Sequence, residues 1–227
     1  MRKPFVKSLL VAGALAGSLS LATAQNVYWI GNTGSNTTSD ASLNLNWTTT
    51  IGGGNDTPTL PTSTDNVIFT GINGPLTNVF GVGYINLVEI NSDVSWGRIQ
   101  FLTNGLPSGH ITRLTGPGKI TLNGVAGEII TVNLHNNAFN PIISNNVELA
   151  VLDNRINVNG GRTLTMTGNI TETGAGVGTR LVKTNGGTLR FTGINNLTAG
   201  LTIAGGTFDA NGDVGLGVNP AAFTPNY

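Results

Sequence analysis

The run Gly160-Gly161-Arg162-Thr163-Leu164-Thr165-Met166-Thr167-Gly168-Asn169-Ile170 is echoed by Gly186-Gly187-Thr188-Leu189-Arg190-Phe191-Thr192-Gly193-Ile194. Gly168 and Gly193 lie 25 positions apart. Leu201-Thr202-Ile203-Ala204-Gly205-Gly206-Thr207-Phe208 opens a third related run, and Ile111 to Gly124 follows the same grammar more loosely. Within each run apolar and polar residues alternate. Leu164 and Met166, or Leu189 and Phe191, therefore share one face of a strand, with Thr on the other. Asn66-Val67-Ile68-Phe69-Thr70 and Lys119-Ile120-Thr121-Leu122-Asn123 read the same way. Gly and Asn punctuate the runs because they accept the positive φ of tight turns. No segment after Ala24 keeps a helical apolar period for three turns. The chain is all-β.

A repeat of about 20–25 residues suits one coil of a β-solenoid, two or three short strands joined by corners. Coils stack at about 4.8 Å, each pairing its backbone with the next. An antiparallel sandwich, the other all-β candidate, needs no such repeat. The composition fits the stack. Of 227 residues, 33 are Gly, 31 Thr and 29 Asn, while charged residues make up only 10%. Like charges repeated coil upon coil would sit about 5 Å apart and repel, whereas Thr and Asn ladder without that cost.

The first 24 residues read as a secretory signal peptide. Arg2, Lys3 and Lys7 precede the apolar Leu9 to Leu21, and Ala22-Thr23-Ala24 sets a cut between Ala24 and Gln25. Thirteen weakly apolar residues are too few to span a hydrocarbon core of about 30 Å. Without them the chain carries 8 Lys+Arg against 11 Asp+Glu, net −3. That weak field, with no basic cluster, excludes nucleic acid as a partner, and no span is expected in the mature chain. Absence of Cys excludes disulfides and thiolate metal sites.

Leu181 to Phe208 resembles the autotransporter-associated β-strand repeat. Lys183, Thr188, Leu189, Gly193, Asn195, Gly200, Thr202, Ile203, Gly206 and Thr207 match its pattern. Asn185 stands for a Gly, Leu197 for a Tyr and Phe208 for a Leu; Asn185 tolerates the positive φ the same turn would need. Tyr28-Trp29-Ile30-Gly31, Asn46-Trp47, Pro61 and Asp65 to Phe69 are similar to the start of long bacterial surface proteins carrying this repeat. The resemblance implies a right-handed parallel β-helix, exported and displayed at the cell surface or outer membrane, and by itself no catalysis. The expected organisation is a signal peptide over 1–24, an aromatic-rich cap region over 25–71 and solenoid coils over 72–227, with the repeat at about 181–208. Such proteins usually continue into further coils and an anchor, so the chain is either a truncated frame or a short secreted relative. Its C-terminal end, with Pro220 and Pro225 but little charge, is expected to fray or to associate with other copies.

Chemistry finds little purchase. Carbohydrate hydrolysis needs two carboxylates about 5–10 Å apart. The acids closest in sequence are Glu89 with Asp93, at a corner, and Asp209 with Asp213, in a turn that could loosely hold Ca²⁺ but lacks an EF-hand's ligand pattern. His110 and His135 are 25 positions apart, but two imidazoles make a poor zinc site. There is no G-x-S-x-G elbow, and Gly52-Gly53-Gly54 opens no helix that could cradle phosphate. Tyr28, Trp29, Trp47 and Trp96 either stack on sugars or cap the open core, and capping is the better account. No catalytic, cofactor-binding or metal-ligating residue is assigned, and no cofactor is expected. The sequence points to a non-enzymatic stalk or adhesin-like passenger; a glycan-binding or polysaccharide-degrading β-helix is the alternative.

Overall fold

In the computed structural model of the protein, the described residues are 24–30, 40–50, 58–70, 77–79, 83–102, 110–124, 127–133, 140–173 and 180–211. The leader (1–23), Gly52-Gly53-Gly54, Asp56, His135, Asp213 and the C-terminal end lie outside them. Among the described residues the structure is all-β, with one 3₁₀ turn over Asn44–Asn46. No described helix is long and apolar enough to cross a membrane.

The strands fall into three sheets, and from Gly83 onward the chain visits them largely in rotation. The first sheet holds β1 (Asn26–Trp29), β2 (Trp47–Thr48), β3 (Asn66–Phe69), β7 (Arg98–Leu102), β10 (Gly127–Asn133), β13 (Asp153–Val158), β16 (Arg180–Thr184) and β18 (Leu201–Ile203). The second holds β4 (Thr77–Val79), β5 (Gly83–Glu89), β8 (His110–Thr115), β11 (Ile142–Ile143), β14 (Thr163–Met166), β17 (Thr188–Phe191) and β19 (Thr207–Ala210). The third holds β6 (Val94–Trp96), β9 (Ile120–Leu122), β12 (Val147–Leu149) and β15 (Ile170–Glu172). Pairing is parallel throughout except for β1 with β2 and β4 with β5. Parallel neighbours need a long crossover; here the crossover is the passage through the other two sheets. The arrangement is compatible with a β-solenoid.

Register stacks like on like. Val67, Ile99, Ile130 and Ile156 follow one another across β3, β7, β10 and β13, and Phe69, Phe101, Val132 and Val158 run beside them. All eight are buried and join inward residues of the other two sheets in one apolar cluster. The expected inward faces are found: Leu164, Met166, Leu189 and Phe191 are at most 1% exposed. Successive register partners are separated by 32 residues at Val67 and Ile99, 25 at Leu164 and Leu189, and 19 at Leu189 and Phe208. The repeat is therefore looser than the sequence predicts, because corner length varies while strand register is held.

The alternation read at Asn66 to Thr70 needs correcting. Val67, Ile68, Phe69 and Thr70 are all buried. Both faces of β3 are covered there, so period two does not separate inside from outside.

Candidate functional site: outward faces and corners

The corners determine how closely one row of strands approaches the next. A Cβ on Gly193 would lie 2.3 Å from the Gly168 carbonyl oxygen, and one on Gly168 would lie 2.0 Å from that of Asn145. These glycines let successive corners stack, which explains why they recur at the coil period. Asn185 adopts φ +66°, the left-handed region expected of it, and is the one described non-glycine residue there.

Asn side chains run along the corners as ladders. The Asn159 amide donates to Asn133 Oδ1 at 2.6 Å, and the Asn185 amide donates to Asn159 Oδ1 at 3.0 Å. At another corner, Asn146 Oδ1 accepts the Asn169 N–H (3.0 Å) and Asn169 Oδ1 accepts the Ile194 N–H (2.9 Å). Buried Asn195 continues the third sheet in place of a strand, its Oδ1 accepting the Ile170 N–H at 3.0 Å. Each amide satisfies a main-chain or side-chain group of the adjacent row; at buried Asn195 and half-buried Asn133 and Asn159 this offsets the desolvation cost.

Lys183 is the feature that sequence reasoning missed. By register it follows Ile156 in the inward ladder, and it is fully buried. Its Nζ donates to the carbonyls of Thr184 (2.8 Å), Asn185 (2.7 Å) and Gly205 (3.0 Å). Burial pushes its pKa down, while three carbonyl acceptors use all the N–H groups of the ammonium. The signal was available: Lys183 has the parity of buried Leu181 within one strand.

Most of the described acids face a donor or a cation of the adjacent row and not another acid; Asp40 and Glu89 are the exception. Asp40 pairs by a parallel bridge with Glu89. Burial pushes the Asp40 carboxyl up, but hydrogen bonds from Ser42 and Asn91 outweigh it and hold the group below its ordinary value. Asp93 Oδ1 accepts the Lys119 N–H at 2.8 Å. Glu148 pairs with Lys119, whose pKa is raised chiefly by that hydrogen bond. Asp153 meets Arg180 at 3.2 Å and Arg155 at 3.3 Å, and the Arg180 hydrogen bond lowers its pKa. Asp209 meets Arg190 at 2.7 Å. Asp209 lies in β19 and not in the expected turn. Glu128 accepts from Asn157, and Glu172 from Thr198. The Lys119–Glu148, Asp153–Arg180 and Arg190–Asp209 pairs span 29, 27 and 19 positions, each one row apart. Opposite charges thus stack where like charges would repel.

Among the described residues no group of three or more His, Asp or Glu could hold a metal ion. His110 lies in β8. The aromatics are turned inward: Trp29, Trp47 and Trp96 are at most 1% exposed and Tyr28 is 8% exposed. Trp47 packs edge-on to Trp29 and Trp96 at 4.9 and 5.8 Å between ring centroids, and Phe69 stacks on Phe101 at 5.4 Å. The rings of Trp29, Trp47, Trp96 and Phe69 are packed against one another. No family model matches the chain, and neither a curated protein nor a solved structure matches it.

Proposed function

We propose that the protein is an exported, non-enzymatic, right-handed parallel β-helix that serves as a rigid stalk or adhesin-like passenger at the bacterial cell surface. One observation carries this reading. The charged and amide groups of the outward faces are engaged mostly with the adjacent row, as in Lys119–Glu148, Asp153–Arg180 and Asn133–Asn159–Asn185, so the surface is built to lengthen and stiffen a stack. A catalytic groove would instead turn two carboxylates toward a common substrate. The resemblance of 181–208 to the autotransporter-associated repeat, the basic and apolar leader, and the positive φ of Asn185 support the same reading. The aromatic cluster at the β1–β2 end closes the apolar core there.

The test uses residues 25–227. Incubation with pectic, xylan and β-glucan polysaccharides should release neither reducing ends nor unsaturated products, and the folded chain should resist protease. Immunolabelling should find it outside the cytoplasm. Turnover of any of these polysaccharides would replace the stalk with the carbohydrate-active alternative.

A further inference from the structure

Asp65 is 2% exposed, and among the described residues the donors that reach its carboxylate are neutral. Thr62 supplies its N–H (2.8 Å) and its hydroxyl (2.7 Å) to Oδ2. The main-chain N–H of Gln25 supplies Oδ1 at 3.1 Å. Around this carboxylate three segments are tied together. The Gln25 carbonyl accepts the Asn66 N–H at 2.8 Å, and the Asp65 carbonyl accepts the N–H groups of Gly97 (2.9 Å) and Arg98 (3.2 Å). A buried carboxylate held only by neutral donors is costly. The nitrogen at Oδ1 belongs to the residue on the C-terminal side of the expected Ala24–Gln25 cleavage point.

We propose that cleavage between Ala24 and Gln25 makes the Gln25 nitrogen an α-ammonium that pairs with the buried Asp65 carboxylate, so that export processing locks the start of the first sheet. The inference rests on the export reading above. A signal peptidase adds water across the Ala24–Gln25 peptide bond; Ala24 leaves as a carboxylate, and the Gln25 nitrogen takes up a proton. The new charge forms where the amide already donates, so no rearrangement is needed. Ala24 is exposed and lines a cavity of about 350 Å³ with Thr64, Asn66, Gly97 and Arg98, so its loss removes no packed core. The charged side chain lining that cavity is Arg98; the flanking strands present neutral Asn66, which donates to Asn26 at 2.9 Å, and neutral Trp47 and Thr48. Gln25 is exposed, which keeps the ammonium hydrated and limits the desolvation penalty that burdens fully buried pairs.

Four proteins test it: chains beginning at Gln25 or at Ala22, each with Asp65 or Asp65→Asn, with intact mass confirming an uncyclised Gln25. Gln25 and Gln100 are the only glutamines, so ¹³C-glutamine labelling leaves two Cα signals and makes the Gln25 α-amine titration readable. In the folded chain beginning at Gln25 this amine should titrate at least one unit above its value in urea, which is about 7.7–8.0 for an ordinary α-amine. Asp65→Asn should abolish the rise. With a raised amine pKa, the added stability is full below the unfolded value and fades as pH rises through the folded one. At pH 6 the folding equilibrium constant should exceed that of the Ala22-extended chain about tenfold, or about 1.4 kcal/mol. An ordinary titration beside an intact Asp65 would overturn the proposal, even if Asp65→Asn fails to fold. Terminal sequencing of the exported protein stands apart: a cut elsewhere leaves export standing but defeats the proposed role of processing whatever the engineered Gln25 terminus shows, and an intact Met1 defeats the signal-peptide reading on which the proposal rests.

Discussion

The Lys183 ammonium donates to the Gly205 carbonyl, 22 positions along the chain and one row further on, at 3.0 Å. The same nitrogen holds the carbonyls of Thr184 and Asn185, so one buried cation fastens the corner after β16 to the corner after β18. The left-handed turn at Asn185 directs its carbonyl at that nitrogen. An apolar side chain at this inward position would leave those part-buried carbonyls without their donor.

Lys183→Met should therefore destabilise the protein by about 1–3 kcal/mol, the order expected for removing the donor of three part-buried acceptors. Equilibrium urea denaturation with an unchanged m-value measures it. A loss below about 0.5 kcal/mol, the range of an ordinary surface change, would show that the carbonyls find other donors.

Leu189 is fully buried and Thr188 is half-buried on the opposite face. Leu189→Asp should cost several kcal/mol by burying an unpaired charge, while Thr188→Ser should stay within about 0.5 kcal/mol. Thermal melts that shift equally for both variants would contradict the face assignment.

The corner glycines separate in the same manner. Gly193→Ala would press a methyl group to 2.3 Å from the Gly168 carbonyl oxygen, whereas a Cβ on Gly160 meets nothing within 4 Å. Gly193→Ala should cost about 1–3 kcal/mol through overpacking, and Gly160→Ala should be neutral within about 0.5 kcal/mol. Paired denaturation curves check the contrast.

Asp153 titrates below its ordinary value because Arg180, and after it Arg155, favours the carboxylate. A depressed folded pKa gives stability that is present above the unfolded value near 3.8 and lost as pH falls through the folded value. Arg180→Gln should return the Asp153 titration, followed by carboxyl ¹³C NMR, toward that value. Both residues are substantially exposed, so salt should erode the difference.

What the sequence made legible follows from what its patterns report. Alternation at Leu164 and Met166, and at Leu189 and Phe191, located inward faces because those strands are covered on one side only. It misled at Ile68, where both faces are buried. Asn185 was readable because few non-glycine residues tolerate φ +66°. The Lys119–Glu148 and Arg190–Asp209 pairs were not, since their spacings of 29 and 19 residues depend on corner lengths that no local pattern encodes. Lys183 went unread because a charge at an apolar parity is ordinarily taken for a surface residue.

Spacing along one face tests the stacked-row account most directly. Arg113, Ile142, Thr165, Arg190 and Asp209 are successive register partners in the second sheet. The chain has no native Cys, so spin labels can be placed at Arg113 with Thr165, Arg190 or Asp209 without background. Electron–electron distances should lengthen by about 4.8 Å per row, giving separations near 10, 14 and 19 Å before label reach is added. Distances that fail to grow with the number of rows, or that shorten from Arg190 to Asp209, would contradict the parallel stack.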